Sequence, residues 1–285
     1  MKFGMTLLLA LTLGMQSFAQ DAKDVFSKRG EDREFALKAA NLYLEDAGKQ
    51  TDNFKELEQK TNFAHAMYFY AQTTKVKKDQ IELHNQAITY LSQSLNKVGV
   101  DVAVQEEDED TELEYTSYPA GLSDAHKLII ATALFEYGAN LGKWGEAKGI
   151  TSSLSQLPKL EGSMHAIERL GLSHIGSYGV DRVLSRIEYK VPLRDKKLAY
   201  KKIKNAVNKT LHPEYKVSTY GLNNVYLAAF SKGHPDGRAA GKAESCKLLK
   251  KFVAVDPAKL NPNRIPETKI DIAEAKKLIA KNKCK

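Results

Sequence analysis

An all-α fold, arranged as an α-solenoid of antiparallel helix pairs, follows from three features of this 285-residue sequence. Apolar residues recur at spacings of three, four and seven through most of the chain, the period of one helix face. Turns rich in Gly, Pro and Asn separate these stretches, as at Lys232-Gly233-His234-Pro235-Asp236-Gly237 and from Asp256-Pro257 to Pro266. No stretch alternates long enough to read as a convincing strand. About eleven helices result, many of them three to five turns long.

The N-terminus stands apart from this pattern. Met1 and Lys2 form a short positive start, and Phe3 to Met15 is an apolar run of 13 residues, too short to span a bilayer. Ser17-Phe18-Ala19 supplies small residues where a signal peptidase reads them, so 1–19 is expected to be a cleaved export signal. No Cys follows it, and no lipid anchor is expected. The mature chain is expected in the bacterial periplasm.

A polar lead-in covers 20–30, and a helical-repeat domain covers 31–281. Its first helix, Asp32 to Ala47, turns Phe35, Ala39 and Leu42 inward. The second, Asn53 to Thr74, carries the stripe Phe63, Ala66, Met67, Tyr70 and Ala71, with Asn53 as its cap ahead of Glu56. The third, Asp79 to Val98, places Ile81, Ala87, Ile88, Leu91 and Leu95 on one face. The pattern then breaks. Residues 99–122 hold alternating Val100, Val102 and Val104, the acidic run Glu106 to Asp110, then Tyr115, Tyr118 and Pro119. They read as an exposed acidic insertion.

Helices resume at Ser123, a suitable cap. The stretch LIIATALFEYGANLGKWGEAKGITSSLSQL, residues 128–157, is the widest apolar face of the chain. Ile129, Ala133, Tyr137 and Trp144 share it, widened by Ile130, Leu134 and Leu141, with Asn140 inside it. Gly142 and Gly145 flank Trp144 and are expected to end the helix there. The next helix runs from Gly145 to Leu157. Another follows Pro158, then a turn at Gly176-Ser177-Tyr178-Gly179, then a short helix from Val180 to Tyr189. Arg194 to Leu211 is strongly amphipathic. Val217 to Phe230, Arg238 to Val255 and Glu267 to Ala280 complete the set, and 282–285 is a tail.

The net charge is +8, and the export signal contributes only Lys2 to it, leaving +7. Lysines fall on the polar sides of helices without interleaved aromatics, a solvated face rather than a nucleic-acid surface. Two cysteines remain. Cys246 shares a face with Ala243, Leu249 and Val253 and reads as a small apolar residue, while Cys284 lies on a Lys-rich tail expected to fray. Export permits a bridge between them, and the sequence leaves it open. Seven histidines invite a metal or catalytic reading, but no His-Glu-x-x-His spacing exists. Gly176-Ser177-Tyr178-Gly179 is no nucleophile elbow, and no phosphate loop is present. No catalytic residue, metal site or cofactor is expected.

The stretch DKKLAYKKIKNAVNKTLHP places Ala199, Ile203, Ala206 and Pro213 at the spacing of the second helix of a tetratricopeptide-type repeat. Looser versions occur at Ala87 and Leu91, and from Ala243 to Pro257. The repeats are degenerate, and stacking of such repeats builds a concave binding surface. The order of REFALKAANLYLED, NFAHAMYFYAQTT, HNQAITYLSQSL, FEYGANLGKW, LSQLPKLEGSMHAIERLGLSHIGSYGVDRVLSRIEYKVP and LLKKFVAVDPAKLNPNRIPETKIDIAEAKKLIAK resembles the TRAP-transporter T-component (TatT) family across about residues 30 to 281. The chain departs from that family in lacking a lipid-attachment Cys and in its acidic insertion. The resemblance implies a periplasmic helical-repeat protomer that can trimerise, holds a hydrophobic channel or groove, and contacts the solute-binding subunit of the transporter. It brings no catalytic residues.

A ligand groove would set Tyr or Trp polar atoms on an apolar floor. Tyr137, Asn140, Trp144, Tyr178 and Arg182 are the candidates for its wall, with Arg182 placed to meet a carboxylate bidentately. The expected ligand is a small hydrophobic molecule or an organic acid. The alternative is a cell-envelope adaptor whose concave face holds a protein segment, unrelated to transport.

Overall fold

The structure, a computed structural model, describes residues 21–102 and 116–284. The expected export signal at 1–19 and the acidic run from Glu106 to Asp110 lie outside the described residues. The fold is all-α, with thirteen helices among the described residues. They are α1 (Ala22–Ser27), α2 (Glu34–Gly48), α3 (Asn53–Thr73), α4 (Lys77–Lys97), α5 (Asp124–Lys148), α6 (Ile150–Ser153), α7 (Leu157–Arg169), α8 (Ile175–Lys190), α9 (Lys196–Lys209), α10 (Gly221–Ala229), α11 (Gly237–Val253), α12 (Pro257–Leu260) and α13 (Ile265–Lys281). No described helix is long and apolar enough to cross a membrane.

Caps place the helix starts. Ser123 Oγ accepts from the His126 amide, as its position suggested. At α3 the cap is Asp52 rather than Asn53, and its carboxylate accepts from the amides of Phe54 and Lys55. The carboxylate satisfies two otherwise orphaned donors and carries a charge that favours the helix N-terminus.

Consecutive helices stack on one another from α2 through α5, and again from α8 to α9. This is the neighbour-to-neighbour packing a repeat array needs. One contact joins the two ends of the described chain. The C-terminal α13 returns to the turn at Lys28–Gly30, where Arg29 grips Glu267 through Nε at 2.8 Å and Nη2 at 3.0 Å.

Two cores form. The first gathers Leu57, Met67, Leu91, Leu95, Ile130 and Leu134 around α5, which packs on α3, α4, α7 and α8. The second gathers Ile203, Val225, Phe230, Leu249, Phe252 and Ala275 from α9, α10, α11 and α13.

Further expectations are corrected, and one question left open is decided. Gly142 and Gly145 do not end α5, which continues to Lys148 and stops at Gly149, φ 112°. A Cβ at Gly145 would meet Ser153 at 3.1 Å, so this glycine is a point of close approach inside the helix. The described flanks of the insertion are exposed only in part, since Val100, Val102 and Thr116 are buried while Asp101 and Ser117 are exposed. Asp101 and Ser117 exchange both backbone hydrogen bonds, at 3.3 and 3.2 Å, and Arg169 donates to the Thr116 carbonyl at 2.7 Å. The cysteine pairing left open by the sequence is closed: Cys246 and Cys284 are disulfide-bonded, with Cα atoms 5.4 Å apart. The tail does not fray away from α11 because α13 ends in a left-handed residue, Lys283 at φ 49°. The Cys284 amide then bonds back to the Ile279 carbonyl at 3.1 Å, turning the chain toward α11.

Candidate functional site

A cavity of about 370 Å³ opens at the seam between the two cores. Helices α3, α5, α7 and α8 wall it from one side, and α10 and α13 from the other. Its volume is in the range of small-molecule sites. The apolar wall includes Phe69, Phe135, Leu157, Leu160, Ile175 and Ile187.

The start of α8 shapes the cavity floor. Gly176, Ser177 and Tyr178 all have positive φ, one turn of left-handed backbone before the right-handed helix begins. Such backbone is costly for non-glycine residues and persists only where the surroundings hold it. Here Arg182 holds it, with Nη1 and Nη2 each donating to the Gly176 carbonyl at 3.1 Å. Asn223 accepts from Arg182 Nη1 at 3.0 Å and donates to the Ser177 carbonyl at 3.3 Å. The Phe135 ring lies against Gly176 and Gly179, where a Cβ would clash with it.

Polar groups cluster at two places in the cavity. At one, Glu146 accepts from Arg186 and lies 3.4 Å from Lys143 Nζ. Burial raises the Glu146 pKa, but Lys143 and Arg186 outweigh it and hold the carboxyl at about 2. At the other, the guanidinium carbons of Arg182 and Arg264 each lie 4.0 Å from the centroid of the Tyr220 ring. Asp271 belongs to the same corner. It is buried, and its carboxylate has no hydrogen-bond partner among the described residues. Burial pushes its carboxyl up to about 7, against the pull of Arg264 and Arg182. The two carboxylates are thus driven in opposite directions within one cavity, by close cationic hydrogen bonds in one case and by their lack in the other.

Of the five residues singled out from the sequence, the structure places Arg182 on the cavity wall. Tyr137 and Asn140 face the first core. Asn140 is fully buried, meets His84 Nδ1 at 2.8 Å and donates to the Glu136 carbonyl at 2.9 Å. Burial lowers the His84 pKa to about 4, so the ring is neutral and its Nδ1–H donates to the Asn140 oxygen. Trp144 packs on the outside of the first core under Lys148, and Tyr178 packs on the second core from within the left-handed turn. Helix α5 does line the cavity, but through Phe135, Ala139, Gly142, Lys143 and Glu146. That face lies around the helix from Tyr137 and Asn140. Because α5 is apolar on nearly every side, periodicity cannot tell which face meets the cavity.

Sequence reasoning did not single out Arg264, Asp271, Lys143 or Glu146. The available signals were Arg264, set between two prolines, and an Asp on the inward face of the last helix. Among the described residues, no three His, Cys, Asp or Glu side chains converge as a metal site. A scan against known protein-family models finds no match, and a search of curated proteins finds no similar one.

Proposed function

We propose that this chain is a non-catalytic helical-repeat binding protein. Its ligand, a small hydrophobic molecule or an organic acid, occupies the cavity at the seam. The observation that carries this reading is the cavity itself: about 370 Å³, walled mainly by apolar side chains, with a few charged groups gathered at its corners. The order of sequence features shared with TRAP-transporter T components supports a periplasmic role beside the solute-binding subunit of such a transporter. Native mass spectrometry of the protein from envelope extracts tests the first part. A bound small molecule is expected, displaced by the neutral probe N-phenyl-1-naphthylamine. A ligand-free protein that also fails to bind the probe would sink the reading. Co-purification with a solute-binding subunit tests the transporter part, and recovery of none from cells growing on organic acids would remove it.

The alternative, an envelope adaptor for a protein segment, is favoured by a different feature. A groove of about 1000 Å³ adjoins the cavity and shares Lys143, Arg186 and Asp271 with it. Lys190, Lys232, Arg238, Lys242, Lys281 and Lys283 line it without an ion pair among the described residues. Such a surface suits an acidic polypeptide. The reading requires a fluorescein-labelled Glu-rich peptide to bind, and to be lost on reversing Lys232, Arg238 and Lys242 but not the α9 lysines Lys197, Lys201 and Lys209.

A further inference from the structure

Among the described residues, Arg264 is a cavity-wall cation that the fold leaves without a hydrogen-bonded partner for its side chain. Its guanidinium is half-buried at the cavity wall, over Tyr220, and no carboxylate or other acceptor among the described residues hydrogen-bonds it. Arg182, over the same ring, spends its Nη atoms on the Gly176 carbonyl and Asn223, leaving Nε without an acceptor among the described residues. A guanidinium withdrawn from water normally meets an anion, because unanswered donors at low dielectric are costly. Glu267 and Asp271 act on Arg264 through space, but neither hydrogen-bonds it. Glu267 is already bound to Arg29, and Asp271 reaches no donor.

Resting on the cavity reading above, we propose that the carboxylate head of an organic acid binds at Arg264 and Arg182 beside Tyr220, and that its arrival is matched by uptake of a proton on Asp271. The apolar body of the ligand then runs along the wall formed by Phe135, Leu160 and Ile187. Asp271 serves as the internal counter-charge while the site is empty. Once a ligand carboxylate arrives, two anions compete for the same cations, and the one without hydrogen bonds takes the proton.

The groups that set this balance include Tyr68 of α3, which lines the cavity and acts on Arg182 and Arg264. Arg264 precedes α13, and Glu267 lies one turn before Asp271 on α13 itself. Arg182 and Arg186 come from α8, Lys143 from α5, and Tyr220 leads into α10. Helix α11 brings Phe252 against Gly221, whose Cα faces Asp271 so closely that a Cβ would meet Oδ2 at 2.6 Å, and its Arg238 and Lys242 line the adjoining groove that Asp271 also lines. Lys143 and Arg186 are held by Glu146, which leaves Arg264, Arg182 and Lys190 as the cavity cations without a carboxylate partner among the described residues, and of these Arg264 and Arg182 lie beside Tyr220. A carboxyl that titrates near 7 is poised to take up a proton at neutral pH.

The test uses decanoate and decanol, which share an apolar body and differ in the head, with N-phenyl-1-naphthylamine as a neutral cavity probe. Decanoate is expected to bind the full-length protein about tenfold tighter than decanol. Arg264→Gln is expected to bring decanoate down to the level of decanol while leaving decanol unchanged, which also shows that the variant is folded. Decanoate binding should weaken as pH rises between about 6 and 8, and calorimetry in phosphate and Tris should report proton uptake of up to about half a proton near pH 7. Asp271→Asn should abolish both the pH dependence and the proton uptake. If decanoate binds no tighter than decanol, or Arg264→Gln leaves it unaffected, the head-group site is overturned while probe binding keeps the cavity reading. Proton uptake that persists in Asp271→Asn overturns the role of Asp271. If the probe and both ligands fail to bind, the cavity reading falls and this site with it.

Discussion

The two cores reach order by different means. The first has long helices that fully bury Leu57, Leu91, Leu95, Ile130 and Leu134, with the His84–Asn140 pair enclosed beside them. Burial on that scale stabilises without a cross-link. The second has shorter helices and buries several polar groups. Asn224 accepts from the Ser218 amide at 2.8 Å and donates to the Ser218 carbonyl at 2.9 Å, and Thr210 meets Ser218 at 2.5 Å. These bonds satisfy buried groups and add little net stability. The disulfide between α11 and the end of α13 compensates. The difference teaches where a ligand site can form. At the seam neither core supplies enough side chains to close the space, and charged groups meet apolar walls there.

Removing the bridge is the strongest way to test that contrast. Cys246→Ser with Cys284→Ser frees a 38-residue loop, which in the chain-entropy account costs about 4 kcal/mol. Hydrogen exchange should quicken in α10, α11 and α13 and stay slow in α2, α3 and α4. Equal loss of protection in both regions would show that they unfold as one unit. A smaller effect is expected at the seam. Gly179→Ala pushes a Cβ into Phe135 and should cost about 2 kcal/mol in urea unfolding, and adding Phe135→Leu should recover part of it. No recovery in the double variant would show that the strain lies in the backbone instead.

Within the first core, Asn140→Ala leaves the His84 Nδ1–H unanswered and should cost about 1 to 2 kcal/mol. Loss of ligand binding without loss of stability would instead put Asn140 back among the ligand-contacting residues. The pH response is expected to be the smallest effect, because Glu146 and Arg186 are each about a quarter exposed. Glu146 has its folded pKa near 2, below the ordinary glutamate value. Its contribution is therefore complete above the unfolded value and lost as pH falls toward 2. Asp271 works with the opposite sign. Its folded pKa near 7 lies above the ordinary aspartate value, so the unliganded protein loses stability as pH rises from about 4 to 7. Asp271→Asn should raise the melting temperature at pH 8 and leave it unchanged at pH 4. A rise at both would assign the effect to packing.

Much of the fold was legible because helix periodicity is local. The spacing of Ala199, Ile203 and Ala206 places all three in the second core, and the Ser123 hydroxyl caps α5 as its position indicates. The turn at Gly176 was legible as a turn, though not as a left-handed one held by Arg182 and Asn223, which are far apart in sequence. Gly142 and Gly145 misled because glycine marks both helix ends and close helix approaches. Only the position of α7 and the turn before it separates the two meanings.

By itself the sequence determined the helices, their inward faces in the amphipathic cases and the turns between them. These rest on interactions a few residues apart. Tertiary structure decided which face of the all-apolar α5 meets the cavity and whether Cys246 and Cys284 pair. It also brought Arg182, Tyr220, Arg264 and Asp271 to one corner. Each of these depends on how helices distant in the chain pack and where two cores fail to close, and no local pattern encodes that.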